Sequence, residues 1–105
     1  MVDSILSRAK ITRRQSRHTQ PPAETYAVYF DDIEADGADN VVLLYRHDVS
    51  IELYEPTPDD AAEARLEAQL NAQGLLWTKQ DRLWIQERQR YQVVYEFSYI
   101  QKIRR

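Results

Sequence analysis

From Gln89 to Gln101 the chain reads QRYQVVYEFSYIQ, with Tyr91, Val93, Tyr95, Phe97 and Tyr99 at every second position. A period of two sends those five to one face of a pleated strand and Gln92, Glu96 and Ser98 to the other. The density of aromatic and β-branched side chains suits a half-buried strand. Its apolar face needs a cover, which the stretch Pro58 to Gln73 supplies. There Ala62, Leu66 and Leu70 share one stripe of a helix, while Glu63, Arg65, Glu67 and Gln69 are expected to face water. Thr57 is the expected N-cap, Pro58 fits the first turn, Asp59 and Asp60 oppose the helix dipole, and Gly74 is placed to end the helix in a left-handed conformation.

The remaining elements follow from the same patterning. Val2, Ile5, Leu6 and Ala9 keep helical spacing, which predicts a short N-terminal helix that must dock on the sheet to persist. Lys10 to Glu24 loses that period, gathers Lys10, Arg13, Arg14, Arg17 and His18 before Pro21 and Pro22, and reads as a basic connecting arm. Thr25 to Asp31 alternates as a first strand, and Asp31 to Asn40 reads as an acidic hairpin loop in which Gly37 supplies the turn. Val41 to Tyr54 is one long strand or two in tandem. Its first part, Val41 to Tyr45, is apolar on both faces, as suits burial or contact with another subunit. Leu75 to Ile85 resumes strand character around a polar break at Lys79 to Arg82, and Gln101 to Arg105 leaves a basic tail. The expected fold is therefore α+β: a mainly antiparallel sheet of four to five strands, one principal helix and a short N-terminal helix packed on it. A single domain spanning residues 1–105 carries the arm at about residues 10–24.

A chain of 105 residues with 43% hydrophobic and 30% charged residues has the balance of one globular domain. The net charge of -3 offers no general basic field, which disfavours specific nucleic-acid recognition. With no cysteine there are no disulfides, thiolate nucleophiles or cysteine metal sites. No apolar run reaches the roughly 20 residues of a membrane span, and the N-terminus lacks a signal-peptide core, so the expectation is an intracellular product without membrane contact.

Reactive chemistry finds little purchase. Asp32, Glu34, Asp36 and Gly37 match positions one, three, five and six of a calcium loop, but position twelve is Leu43 and the flanks are strands, so no metal is expected. Gly37 and Gly74 are the only glycines, too few for a phosphate loop. His47 is expected to be structural or surface-exposed, because acid–base work needs an oriented partner. Trp77 and Trp84 are core residues by default, with Trp84 also a candidate interface anchor. Neither catalysis nor a cofactor is expected; a small enzyme using His47, Asp48 and Glu52 ranks last among the readings.

Four phrases carry a family resemblance: YAVYF at Tyr26 to Phe30, VSIELYEPTPD at Val49 to Asp59, EARLEAQLNAQGLLWTK at Glu63 to Lys79, and RYQVVYEFSYI at Arg90 to Ile100. In this order they resemble the tail-terminator and neck, or head-tail joining, proteins of long-tailed bacteriophages and prophages, over about 75 residues. The resemblance implies a non-enzymatic virion assembly protein: a ring, usually sixfold, that caps the tail tube and joins it to the head connector, built from a chain that can be a monomer in solution. Its implied partners are itself, the tail-tube protein and the head-connector proteins, with DNA passing through unbound. Its implied location is the virion tail or neck, and the host cytoplasm during assembly. Candidate interface residues are Arg13, Arg14 and Arg17 on the arm, Val42, Leu44 and Tyr45 on the apolar strand segment, and Trp84. Asp32, Glu34, Asp36 and Asp39 are candidates to face the channel, where carboxylates would repel phosphate. The alternatives are a head-completion or stopper protein of the neck, and a small non-phage protein-binding module.

Overall fold

Two helices lie on one face of a six-stranded sheet in the computed structural model, which describes residues 1–14, 23–38 and 40–103. The elements in chain order are α1 (Val2–Arg8), β1 (Thr12–Arg14), β2 (Tyr26–Ala38), β3 (Val41–Glu55), α2 (Asp60–Ala72), β4 (Trp77–Lys79), β5 (Leu83–Ile85) and β6 (Arg90–Lys102). The strand order is β1-β2-β3-β6-β4, with β5 also paired to β6. Among the described residues only β1 and β2 run parallel; the other pairings are antiparallel. The α+β fold is thus as the sequence predicts, with six strands where four to five were expected. The additional strands are short: β1 forms inside the basic arm, and the polar break at Gln80 to Arg82 divides the expected Leu75–Ile85 strand into β4 and β5, laid end to end along β6.

The alternation on β6 is realised on the helix-covered face, where Val93, Tyr95 and Phe97 are buried with Tyr99 packed at the margin. Ala27, Tyr29, Val49, Ile51 and Leu53 share that face, covered by Val2, Ile5 and Leu6 of α1 and by Ala62, Leu66 and Leu70 of α2. Leu66 and Leu70 are fully buried, each contributing about 2 kcal/mol of apolar transfer. The short α1 is held at its C-terminal end by Arg65 of α2, whose Nε donates to the Ala9 carbonyl at 2.7 Å. A cation at that position also complements the helix dipole.

Helix α2 starts later than the sequence suggests. Its N-cap is Asp59, whose carboxylate accepts from the Ala62 amide at 3.1 Å, so Thr57 and Pro58 lie outside the helix. Asp59 wins because it sits where its side chain reaches an unpaired first-turn amide and is itself held by Thr25 Oγ1 and Glu55. Gly74 has φ of 70° just beyond the C-cap Gln73, as expected.

The largest departure concerns the acidic stretch. Residues 31–38 are not a loop: β2 runs on to Ala38, paired with β3 down to Ala38 opposite Val41. The left-handed position at the tip is Asn40, with φ of 63°, a conformation asparagine tolerates. Gly37 instead lies at the register shift after Asp36, where a Cβ would collide with the Val41 carbonyl. Alternation of Asp31, Ile33 and Ala35 against Asp32, Glu34 and Asp36 carries strand geometry through the charges. With the outer part of β6, the hairpin makes a three-stranded blade, formed by residues 31–38, 41–48 and 98–102, that projects past the helices. The molecule is accordingly elongated, with extents of 50 × 29 × 22 Å.

Candidate functional site

Residues directly opposite in the ladder share a face, so the register assigns every blade side chain. The face opposite the helices has Phe30, Asp32, Glu34 and Asp36 on β2, Ser50, Asp48, Arg46 and Leu44 on β3, and Glu96, Ser98, Ile100 and Lys102 on β6. Nearer the helices it is closed by a second small core of Tyr26, Val28, Tyr54 and Ile85, with Tyr26 and Tyr54 stacked at 5.2 Å and the Arg88 guanidinium 4.4 Å above Tyr54. Farther out it is open. Phe30, Asp32, Asp48, Ser50, Leu76 and Glu96 border an open depression of about 700 Å³, and Leu76 is 94% exposed. Asp32 stands directly across from Asp48, a like-charge pair relieved on one side by the Ser98 hydroxyl, which donates to Asp48 at 2.5 Å. Arg46 reaches Glu34 only at 4.0 Å. The open face is therefore acidic, and the exposed apolar side chains Phe30 and Leu76 lie among the acids.

On the helix-covered face the blade is fastened at its root. His47 is buried and joins all three strands: Nδ1 lies 3.0 Å from both Asp31 oxygens, Nε2 lies 2.9 Å from Gln101 Oε1, and the ring stacks on Tyr99 at 4.3 Å. Burial alone would lower the imidazole pKa. The hydrogen bonds to Asp31 and Gln101 and the Asp31 charge outweigh it, so the pKa is raised. Both ring nitrogens face acceptors, the arrangement of an imidazolium donating twice. His47 thus has an oriented partner, which the sequence did not reveal, with no position left vacant on the ring.

A second charged cluster pins α2 to the sheet. Glu63 on α2 receives Lys79 Nζ at 2.8 Å and Arg82 at 2.7 Å; Arg82 also reaches Asp60 at 2.8 Å and Glu55 at 3.3 Å, and Lys79 reaches Glu67 at 2.7 Å. Tyr95 donates its hydroxyl to Glu67 at 2.6 Å. Glu63 is buried, contrary to the expectation of a solvated face, because Lys79 at the end of β4 and Arg82 in the break before β5 lie over it. Glu55 is fully buried. Burial, reinforced by the adjacent Glu63 carboxylate, pushes its carboxyl up to about 8. Glu63 moves the opposite way: burial opposes ionisation, but hydrogen bonds from Glu55, Lys79 and Arg82 lower its pKa. One proton on Glu55 therefore sits beside an ionised Glu63. Among the described residues no group of three or more His, Cys, Asp or Glu is arranged to hold a metal ion.

The interface candidates read from the sequence fall in separate places. Arg13 is in β1 at one edge of the sheet, with its Nε on Asp3 of α1 at 2.8 Å. Arg14 ends β1 opposite Val28. Trp84 is in β5 at the other edge, half-exposed, edge-on to Tyr91 at 5.0 Å, with its indole N–H on Gln86. Val42, Leu44 and Tyr45 lie in the outer part of β3, between β2 and β6. This segment is not a sheet edge, as a contact by strand addition would require; it is the middle strand of the blade. Asp32, Glu34 and Asp36 come together on one open face, whereas Arg17 and Asp39 lie outside the described residues. The His47 and Glu55 clusters were missed, although each carried a signal. His47 and Glu55 are in phase with Val49, Ile51 and Leu53, so a strict period of two places both on the covered face.

No protein-family model matches the chain, and no curated protein is similar to it in sequence. The fold is similar to that of a chain in a solved structure of the virion of a native gene transfer agent (GTA) particle, with a TM-score of 0.63 over 94% of this chain and 84% of that one. At 13% sequence identity this is a likeness of fold.

Proposed function

We propose that the chain is a structural subunit of a phage-like virion, and specifically a tail terminator that caps the tail tube as a ring and joins it to the head connector. The observation that carries this reading is the projecting acidic blade on a fold shared with a chain of a GTA virion. A blade held rigid at its root by His47 and left open beyond it is suited to contact neighbouring subunits rather than to enclose a small molecule. Its open face carries Asp32, Glu34, Asp36 and Asp48, which would repel a passing duplex and let it slide. In this reading the role is non-catalytic: Glu63 is engaged by Lys79 and Arg82 and Glu55 by Arg82, contacts that lock α2 on the sheet. The protein works in the virion tail or neck, after assembly in the host cytoplasm.

Tail tubes grown from the cognate tube protein provide the test. Added chain is expected to bind at one tube end and halt elongation. Binding to purified head connectors with no effect on tube growth would replace the terminator by a stopper of the neck, and binding to neither would overturn the reading.

A further inference from the structure

Two rows of residues cross the root of the open face. Phe30, Ser50, Glu96 and Thr78 are in register from β2 through β3 and β6 to β4, and Asp32, Asp48 and Ser98 form the next row outward. Phe30 stands exposed on one side, and Leu76, just before β4 and 94% exposed, stands on the other. Between them the floor is low, because Ser50, Ser98 and Thr78 are small. The open depression of about 700 Å³ is thus a trough with two apolar walls.

Its width and chemistry select an occupant. The walls belong to β2 and to the start of β4, three strand spacings apart, or about 14 Å at the usual separation of strands. An α-helix with its side chains is about 10–12 Å across, and small floor residues let it approach the sheet closely. An added strand finds no footing there, since the floor is β3 paired with β6, whose ladder bonds are already made. The charge is of one sign. Asp32, Asp48 and Glu96 line the trough, and among the described residues that line it none is basic. Asp48 accepts from the Ser98 hydroxyl and Glu96 from the Gln80 amide, both neutral donors that leave the carboxylate charge in place. Nucleic acid is repelled, and a cationic protein surface is attracted.

We infer that the trough seats an amphipathic basic helix of a partner protein, its apolar side chains against Phe30 and Leu76 and its lysines or arginines over Asp32, Asp48 and Glu96. The root of the sheet is then covered by helices on both faces. Glu34 and Asp36 lie farther out along β2 and stay uncovered, free to face a channel. That the partner is another virion subunit rests on the assembly reading above; the chemistry of the trough does not.

Three helical peptides on one template test this against the full chain. The first sets a leucine stripe among lysines, the second replaces the leucines with alanine, and the third replaces the lysines with glutamate. Calorimetry is expected to show the first binding, and the second and third binding about tenfold or more weakly. Amide shifts in NMR spectra should fall on residues 48–50, 76–78 and 96–98. Leu76→Lys and Glu96→Lys replace exposed side chains, so circular dichroism should show both folded, and each should weaken the first peptide about tenfold. Asp36→Lys, on the same face but four residues beyond Asp32, should leave its affinity unchanged at physiological salt, where screening acts over about 8 Å. Equal binding by the alanine peptide, shifts centred elsewhere, or no binding of the first peptide up to millimolar concentration would each overturn the inference. Self-association of the wild-type chain that Leu76→Lys abolishes would also overturn it, by making the occupant a second copy. If tubes are capped although the peptide arms fail, the functional reading stands without the inference; if the peptide binds in the trough and no tube is capped, the reverse holds.

Discussion

Asp32 and Asp48 face each other across the β2–β3 ladder on the open face of the blade. A directly opposed pair of like charges destabilises a sheet by a few tenths to about 1 kcal/mol. Asp32→Asn is therefore expected to raise the unfolding free energy by roughly that amount, and added salt should narrow the gap between variant and wild type by screening the pair. Urea unfolding at low and moderate salt checks both. No gain in stability would mean that the surroundings already neutralise the two carboxylates.

His47 makes the blade root dependent on pH. Its pKa is raised in the folded chain, so the folded state binds a proton more tightly than the unfolded one. The resulting stabilisation is complete below the ordinary histidine value of about 6.5 and is lost as pH rises through the folded pKa. His47→Gln should remove that pH-dependent part and cost about 1–3 kcal/mol at pH 6, since Asp31 is left without its charged donor. Titration of the ring by NMR, with unfolding curves on either side of neutrality, tests the prediction. A ring pKa below that of an exposed histidine would contradict it.

Glu55 acts with the same sign over a wider range. Its pKa of about 8 means that the folded chain retains a proton which the unfolded chain releases near pH 4.5, so this contribution falls as pH rises between those values. Glu63, lowered, contributes stability above pH 4.5 that is lost as pH falls through its folded pKa. Glu55→Gln keeps the shape of the protonated acid and should leave stability at pH 5 nearly unchanged while raising it at pH 8. Glu63→Gln strips Lys79 and Arg82 of their shared carboxylate. It should cost about 2 kcal/mol, less than for a fully buried pair because both cations are partly solvated.

Gly37 has a narrower role. A methyl group there meets the Val41 carbonyl, so Gly37→Ala is expected to shift the hairpin tip by opening the ladder between Gly37 and Val42. The core is distant, so amide exchange at Val41 to Leu44 should speed up with little change in the global melting temperature. A large drop in melting temperature would show that the tip is coupled to the core more tightly than its packing implies.

Local patterning made the covered face legible. Val93, Tyr95 and Phe97 on β6 and Ala62, Leu66 and Leu70 on α2 are buried as their periods dictate. What escaped the sequence was polar. Asp31, His47 and Gln101 interrupt apolar character yet continue the strand period, and their mutual satisfaction depends on the register of three strands far apart in sequence. The burial of Glu63 likewise depends on Lys79 arriving from the end of β4 and Arg82 from the break that follows it. The acidic stretch has the charge density of a loop, whereas the long pairing with β3 holds it extended. The candidate site was legible in one respect, the clustering of Asp32, Glu34 and Asp36; the face they share with Asp48 is set by the register of β2 on β3.

Cryo-electron microscopy of purified particles, with the chain labelled by antibody, tests the central claim most directly. A terminator is expected as a single ring at the junction of tail tube and head connector, its blades side by side around the channel. Particles that are complete and infectious or transfer-competent without the chain, or a chain found solely in the soluble fraction of the lysate, would contradict the account.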